Sequence, residues 1–449
     1  MSGPTHRYPD SHDLDVDFPL ACVPWTPSQT PSSALPKRPG LASDEPYDSA
    51  HEDIAKYMRG KAWVWPRQDI FFYTDIHADV LAMRRSLHAS GAVELDGPGD
   101  LDFKLTPRGR RGRFIFGGDT FDKGPSNLRL LRALARLVEL GANVEFLCGN
   151  HDLRTYLGLY YFGAKEVPLA HLFVRMGPKC IPLFREVWDD YLDAGVLADV
   201  PSESAIRALI FPEPQWWQSF PLYARRRLSV AAIEKEVERI RYKVSKIEAR
   251  ALEMGMSLGM LYAAVRKARE LFVDFGGAFA WYFERLKLVT RAGSLLFVHA
   301  GVCDESAKIL CRIGTQGINT AFFHELKSDP FGLYNGILGN MIRTKYRATD
   351  RPFGESGAAA LHRAGIYAIV HGHRNVTGGH RTILRNNVLN YECDASVDRN
   401  TRLLEGLDPR GGAAMIFRND GIALGISTDH PAIKVHDFTN LCDFLTFAG

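Results

Sequence analysis

The sequence predicts an α/β fold divided by a long helical insertion, and three observations carry that reading. Short apolar runs end in Gly, Asp, Asn or His and lead toward helical patterns at 70–83, 114–140 and 144–152. The pattern stops near residue 155 and gives way to a helical, aromatic-rich stretch. It returns at 294–301 and 366–373. Polar residues at the carboxyl ends of buried strands lie where such sheets bind ligands.

In chain order, residues 1–50 read as an extended N-terminal segment, with Pro-Ser-Ser-Ala-Leu-Pro-Lys-Arg-Pro-Gly at 31–40. Its prolines and small polar residues cannot build a core alone, although Phe18 to Trp25 could pack across another surface. The folded part opens near His51. Residues 51–155 form the first part of the core: Ile70 to Tyr73 is a strand ending at Asp75, and Asp79 to Met83 begins a helix. Phe114 to Phe116 leads into Gly117-Gly118-Asp119 and a helix from Leu128 to Leu140, and Val144 to Cys148 leads into Gly149-Asn150-His151-Asp152.

Residues 156–290 form the mainly helical insertion. Ile233, Val237, Ile240, Val244, Ile247, Ala251 and Met254 recur in steps of four and three, an apolar seam about 30 Å long. The seam needs a partner. Leu261 to Phe272, after Gly255 and Gly259, would complete a hairpin; an ordinary surface helix or a homo-oligomer joined through the seam are the alternatives. Residues 291–449 form the second part of the core, with strands at Ser294–Val298 and Ile366–Val370 and further short apolar runs at 382–384, 388–389, 414–417 and 422–424.

Hydrophobic residues make up 46% and charged residues 24%, a composition that excludes disordered and fibrous classes. With 55 basic and 52 acidic side chains, and no block of like charge, nothing points to nucleic acid or a membrane as partner. The seven widely spaced cysteines resemble neither a secreted disulfide framework nor a zinc knuckle. No signal peptide or spanning run is visible, so the expected location is cytoplasmic.

Five polar clusters follow strands: Asp75-Ile76-His77, Gly118-Asp119-Thr120-Phe121-Asp122, Gly149-Asn150-His151-Asp152, His299-Ala300-Gly301 and Gly372-His373. Carboxylate oxygens and imidazole nitrogens on one sheet edge suit divalent metals of intermediate hardness. One such cluster says little, because a strand-end His is more often hydrogen-bonded structure. The five in this order are hard to obtain from structural needs alone.

That order resembles the calcineurin-like metallophosphoesterases, in particular the branch of Ser/Thr-type phosphoprotein phosphatases and their bacterial counterparts, over about 70–153 and 294–400. The resemblance implies a β-sandwich flanked by helices and two metal ions, manganese, iron or zinc. It implies Asp75 and His77 on the first metal, Asp119 bridging both, and Asn150, His299 and His373 on the second. It also implies a bridging hydroxide as nucleophile and His151 as the acid on the leaving group, oriented and kept protonated by Asp122.

The departures bear on substrate binding. Thr74 and Ala78 stand where the family has Gly, and neither removes a ligand. Lys123 replaces the family's Arg, keeping the charge but losing the two-donor fork; it is expected to face the phosphate in a catalytic and binding role, against a surface lysine as alternative. Gly372-His373-Arg374-Asn375 lacks the second His of the wider superfamily, and His371 is either structural or a register-shifted ligand. Ser328-Asp329-Pro330 also resembles that branch. Arg343, Arg347 and Arg351 are candidates for a second phosphate clamp, with Arg154 and Arg374 nearer the rim.

The resemblance implies a protein serine/threonine phosphatase acting on phosphorylated protein or a small phosphoester. Hydrolysis of diadenosine tetraphosphate or another nucleotide is the alternative, since Gly-Asn-His-Asp also resembles those hydrolases. A nucleic-acid phosphodiesterase stands lower, for want of a basic track. A non-enzymatic scaffold is lowest, because all six expected ligands are present.

Overall fold

The computed structural model describes residue 16, residues 18–24 and residues 51–448. Most of the N-terminal extension, Trp25 included, therefore lies outside the described residues. Within them Cys22–Pro24 adds a strand beside Ile433–Asp437, and Phe18 packs on the core.

The chain is mixed α/β, with two principal sheets. The larger has eight strands in the order Cys22–Pro24, Ile433–Asp437, Ile422–Ser427, Ala413–Phe417, Ile70–Tyr73, Arg113–Phe116, Asn143–Leu147 and Leu286–Lys287. The last four run parallel, and Ala413–Phe417 is antiparallel to Ile70–Tyr73, so the first and last parts of the chain share one sheet. The second sheet has five strands, ordered Arg381–Arg385, Val388–Glu392, Ala368–His371, Leu295–Val298 and Val289–Ala292, parallel at its centre.

Ile70–Tyr73 and Leu295–Val298 are apolar and buried at every position because both faces of these strands are covered. Alternation divides their side chains. Ile70, Phe72, Ile115 and Leu147 share a core with Leu295, Phe297, Val370 and Tyr391 of the second sheet, and Phe72 and Phe417 each stand 5.7 Å from the Phe297 ring. Phe71, Tyr73, Phe114 and Phe116 face the helices instead. Val80–Ala89 is capped by Asp79, which accepts from Ala82 N at 3.0 Å, and Asn127–Glu139 is capped by Ser126.

Parallel neighbours end side by side. Asp75, Asp119 and Asn150 therefore emerge on one edge of the large sheet, while His299 and His373 follow adjacent strands of the other. Sequence reasoning did not locate the strand pairs Ala62–Trp65 with Phe444–Phe447 and Val93–Leu95 with Phe103–Leu105.

Between Tyr156 and Leu286 the elements are helices, the longest Val230–Glu253, N-capped by Ser229. Its seam is buried within the chain at Ile233, Ile240, Ile247 and Ala251. The expected hairpin is not its main contact. The helix packs chiefly on Leu172–Met176, Pro178–Cys180 and Trp216–Ala224, whereas Leu258–Phe272 packs chiefly on Ile181–Tyr191. A seam specifies that a partner is needed; the partner is chosen by Glu236, buried on the same helix and ion-paired with Arg175 of Leu172–Met176. No helix among the described residues is long and apolar enough to cross a membrane.

Arg175 and Glu236 are both almost fully buried, so removing one strands the other's charge. Arg175→Met is expected to cost about 3–5 kcal/mol in denaturant unfolding at neutral pH. Burial raises the Glu236 carboxyl, but Arg175 and its neighbours more than offset this and hold it below its ordinary 4.5. The pair's stabilisation is therefore present above pH 4.5 and lost as pH falls through the lower folded value, so the gap between wild type and variant should narrow in acid.

Candidate metal centre

Seven non-glycine residues around the strand ends hold left-handed backbone: Asp75, His77, Ala78, Asp119, Asp122, Lys123 and His373, with φ between 47° and 67°. Such conformations cost about 1–3 kcal/mol each and persist where the surroundings over-determine them. Here loop meets loop through hydrogen bonds from Asp75 N to Gly118 O (3.0 Å), His77 N to Asp119 O (3.0 Å) and Ala78 N to Thr120 O (2.7 Å). Gly149, like Gly124 and Gly372, permits a close approach, since a Cβ there would collide with Asp119.

The side chains form two groups that share Asp119. Asp75, His77 and Asp119 make one and Asp119, His299 and His373 the other, with the ligand atoms of each within 4.8 Å of one another. Asp119 Oδ2 lies 3.8 Å from His77 Nε2, and Oδ1 lies 3.5 Å from His299 Nε2. Each imidazole has its other nitrogen on a backbone carbonyl: His77 Nδ1 on Phe121 O (3.1 Å), His299 Nδ1 on Gly117 O (2.8 Å) and His373 Nε2 on Arg343 O (3.2 Å). A nitrogen that donates to a carbonyl leaves the opposite one as a lone pair, the usual preparation of a metal-binding His. His299 Nε2 is buried without a hydrogen-bond partner, and the residues present fit a cation that would satisfy it.

Asn150 stands beside the second group. Its carboxamide lies 2.9 Å from His373 Nδ1. With nitrogen toward the ring it would donate a hydrogen bond; with oxygen toward it, two lone pairs converge on one point, as a cation requires. The Thr74 departure has a use here, because its hydroxyl donates to Asp75 Oδ2 at 2.6 Å alongside His373 N at 2.9 Å. Ala78 sits at φ +55°, which explains a preference for Gly at that position.

Burial, then Asp394 and Asp119, push the Asp75 carboxyl well above its usual range. Burial depresses the imidazoles of His77, aided by Lys123, and of His373, aided by His299 and Lys345. Neutral imidazoles beside crowded carboxylates are a donor set that lacks positive charge. Lys123 supplies some, its Nζ lying 2.6 Å from His77 Nε2.

His151 Nδ1 stands 2.8 Å from Asp122 Oδ2. The expectation that Asp122 keeps this imidazole protonated meets opposing forces. Burial, then Arg154, lower His151 well below its usual value, while burial raises Asp122 to about 6 against Arg154 and Lys179. In the free pocket both shifts favour the neutral imidazole.

The pocket above the two groups encloses about 490 Å³. Lys123 and Arg154 line it together with Asp75, Asp119, Asn150, His151 and His373. Four other expected phosphate ligands are engaged elsewhere. Arg374 pairs with Glu392 at 2.9 Å in a buried cluster, because Glu392 on the adjacent strand attracts Arg381 and Arg385 as well. Arg343 lies over the Tyr334 ring at 4.3 Å, and Arg347 sits in an exposed turn whose N–H donates to Asp350. Arg351 pairs with Glu305. His371, inside a strand, lies 4.0 Å from Glu392 and outside both groups, which fits its structural reading.

Six polar lining residues escaped the sequence: Lys179, Tyr242, Lys243, Lys345, Asn375 and Asp394. Asp394 had a signal, an acid just beyond the apolar strand Val388–Glu392. Lys179 and Lys243 had none, being lysines of a helical region far along the chain.

No family model matches the chain, and no curated protein does. Among solved structures it is similar to a cold-active protein tyrosine phosphatase at 13% identity, covering 89% of this chain and 87% of that one with a TM-score of 0.45. A Saccharomyces cerevisiae protein serine/threonine phosphatase follows at 11%, 86% of each chain and 0.33. A metallophosphoesterase from Sphaerobacter thermophilus is at 10%, 82% and 87%, and 0.27. These overlaps are loose, and the chemistry is read from the site's own geometry.

Asp152, fully buried, accepts from Gly149 N (2.8 Å), Asp119 N (2.8 Å) and Thr120 N (2.9 Å). Asp152→Ala should destabilise the metal-free chain by about 3 kcal/mol or more in denaturant unfolding, since each stranded buried donor costs about 1–3 kcal/mol. Asp152→Asn, keeping one acceptor oxygen, should fall between.

Proposed function

We propose that this chain hydrolyses phosphomonoesters at two divalent cations, held by Asp75, His77 and Asp119 and by Asp119, Asn150, His299 and His373. The observation that carries the reading is Asp119, one carboxylate whose two oxygens face separate imidazole groups already oriented by backbone carbonyls. Mixed oxygen and nitrogen donors suit manganese, iron or zinc. When bound, two such cations activate water and neutralise phosphate charge. In this reading the fold is a metallophosphoesterase β-sandwich flanked by helices, and 156–290 is an insertion between its halves.

The protein's own groups do the rest. Asp122 holds His151 Nδ1, which leaves Nε2 for the substrate. An arriving phosphate dianion opposes the effect of Arg154 and favours the imidazolium, which then protonates the leaving alkoxide. Lys123 and Arg154 grip phosphate oxygens from the wall. The substrate class is a phosphorylated serine or threonine of a protein, or a small phosphoester entering the same pocket.

Elemental analysis and anomalous scattering should find two metals per chain in metal-supplied protein. Asp119→Asn should lose both, and His299→Ala should lose one. Two metals retained in Asp119→Asn would remove the shared ligand from the scheme.

His151→Asn and Asp122→Asn should keep their metals but lower kcat by about 10²–10⁴-fold on an alkyl phosphate. The loss should be smaller on 4-nitrophenyl phosphate, whose leaving group needs little protonation. Equal losses on both substrates would show that His151 is not the acid.

A further inference from the structure

Phosphoester binding at the metal groups accounts for one end of the pocket only. Its volume of about 490 Å³ falls in the range of about 300–1,000 Å³ that accommodates a whole drug-sized ligand, and a lone phosphoryl group would leave most of it empty. Two further cations, Lys179 and Lys243, line it. Lys179 follows Leu172–Met176, and Lys243 comes from Val230–Glu253.

These charges lack the partners found elsewhere in the chain. Arg175, Arg374 and Arg402 are each buried against a carboxylate, Glu236, Glu392 and Asp429. Among the described residues neither Lys179 nor Lys243 has a carboxylate within ion-pair distance. Lys243 donates to Arg175 O, which leaves two of its three N–H donors uncommitted. Its stem crosses Gly177, whose φ of +78° and missing Cβ, which would lie 3.1 Å from Lys243 Cε, make room for it.

Both lysines line the same pocket, and both feel the Arg154 charge. Burial, then Lys123, lower Lys179 against the pull of Asp122, and burial, then Arg154 and Arg175, lower Lys243 to about 7 against Tyr334 and Glu236. Lys179 is exposed and Lys243 half-buried, and an anion entering the pocket is attracted to both.

We propose that Lys179 and Lys243 form a second anion subsite, so that the substrate is a phosphoester carrying a further phosphate group on its leaving portion. The proposal rests on the phosphatase reading for the first phosphate, but its binding test does not need turnover. The second phosphate makes charge-assisted hydrogen bonds to the two ammonium groups while the first lies against Lys123 and Arg154.

Titration calorimetry on chelator-treated, full-length protein should show methylenediphosphonate binding at least about tenfold more tightly than methylphosphonate. In the Lys179→Met/Lys243→Met double variant the ratio should approach one, and in Lys179→Arg/Lys243→Arg it should survive. Equal binding of the two ligands by wild type, or an unchanged ratio in the Met variant, would overturn the subsite. Because the wild-type comparison is decisive alone, a variant that fails to fold does not shield the proposal.

With metal supplied, kcat/KM for propane-1,3-diol bisphosphate over propyl phosphate is compared with that for an adjacent bisphosphoserine peptide over its monophosphorylated form. The pair with the larger ratio identifies whether the second phosphate arrives on a small molecule or on a peptide, and a ratio near one for both overturns the substrate class. Absence of any hydrolysis, with the diphosphonate preference intact, would sink the phosphatase reading and spare the subsite.

Discussion

Asp152 sets the distance between the two loops on which the site is built. Its carboxylate takes the N–H groups of Gly149, Asp119 and Thr120, which belong to the turns after the parallel strands Asn143–Leu147 and Arg113–Phe116. Hydrogen bonds to a charged acceptor contribute about 1.5–3 kcal/mol each, enough to hold Asp119 in its left-handed conformation at about 1–3 kcal/mol. The same closeness has an electrostatic cost. Burial, then the neighbouring Asp119, raise Asp152 to about 7, so the clamp is strongest when positive charge offsets Asp119.

The helical region carries the site as well as covering it. Glu186 of Ile181–Tyr191 accepts from Ser126 Oγ, Asn127 N and Leu128 N, closing the amino end of Asn127–Glu139. Asn127 Oδ1 in turn accepts from Asp122 N at 3.0 Å, and Asp122 holds His151. The imidazole's position thus depends on a helix more than thirty residues further along the chain. Apolar residues of this region, among them Leu183, Phe184, Ile240 and Phe272, share one continuous core with Phe114 and Phe146 of the large sheet. A detachable lid would not be built so.

The sequence made the strand-end clusters legible because their signal is local: an apolar run, a Gly or Asp, and a helix within a dozen residues. Asp75, Asp119, Asn150, His299 and His373 all emerge where those runs end, and the structure brings them together. Contacts made through long-range folding were not legible. Arg374 looked like a rim cation because it follows His373, yet Glu392, eighteen positions on, draws it into the interior. Lys243, which nothing in the local sequence singles out, lines the pocket. The seam from Ile233 to Met254 was readable as a buried stripe, but its partners depended on Arg175, whose role no periodicity reveals.

Lys123 shows how the chain can assemble this constellation before anything binds. Asn400 Nδ2 holds its carbonyl at 2.5 Å and its backbone is left-handed, so its freedom lies in the four-carbon stem. The ammonium rests on His77 Nε2, close to the carboxylates of Asp75 and Asp119. A compact ammonium can exchange one acceptor for another along that stem, whereas a guanidinium fork is matched to paired acceptors in a plane. The Lys123 ammonium also opposes the rise that burial imposes on the Asp394 and Asp398 carboxyls. One positive charge on a long stem thereby reduces the cost of folding buried acids without a cation between them.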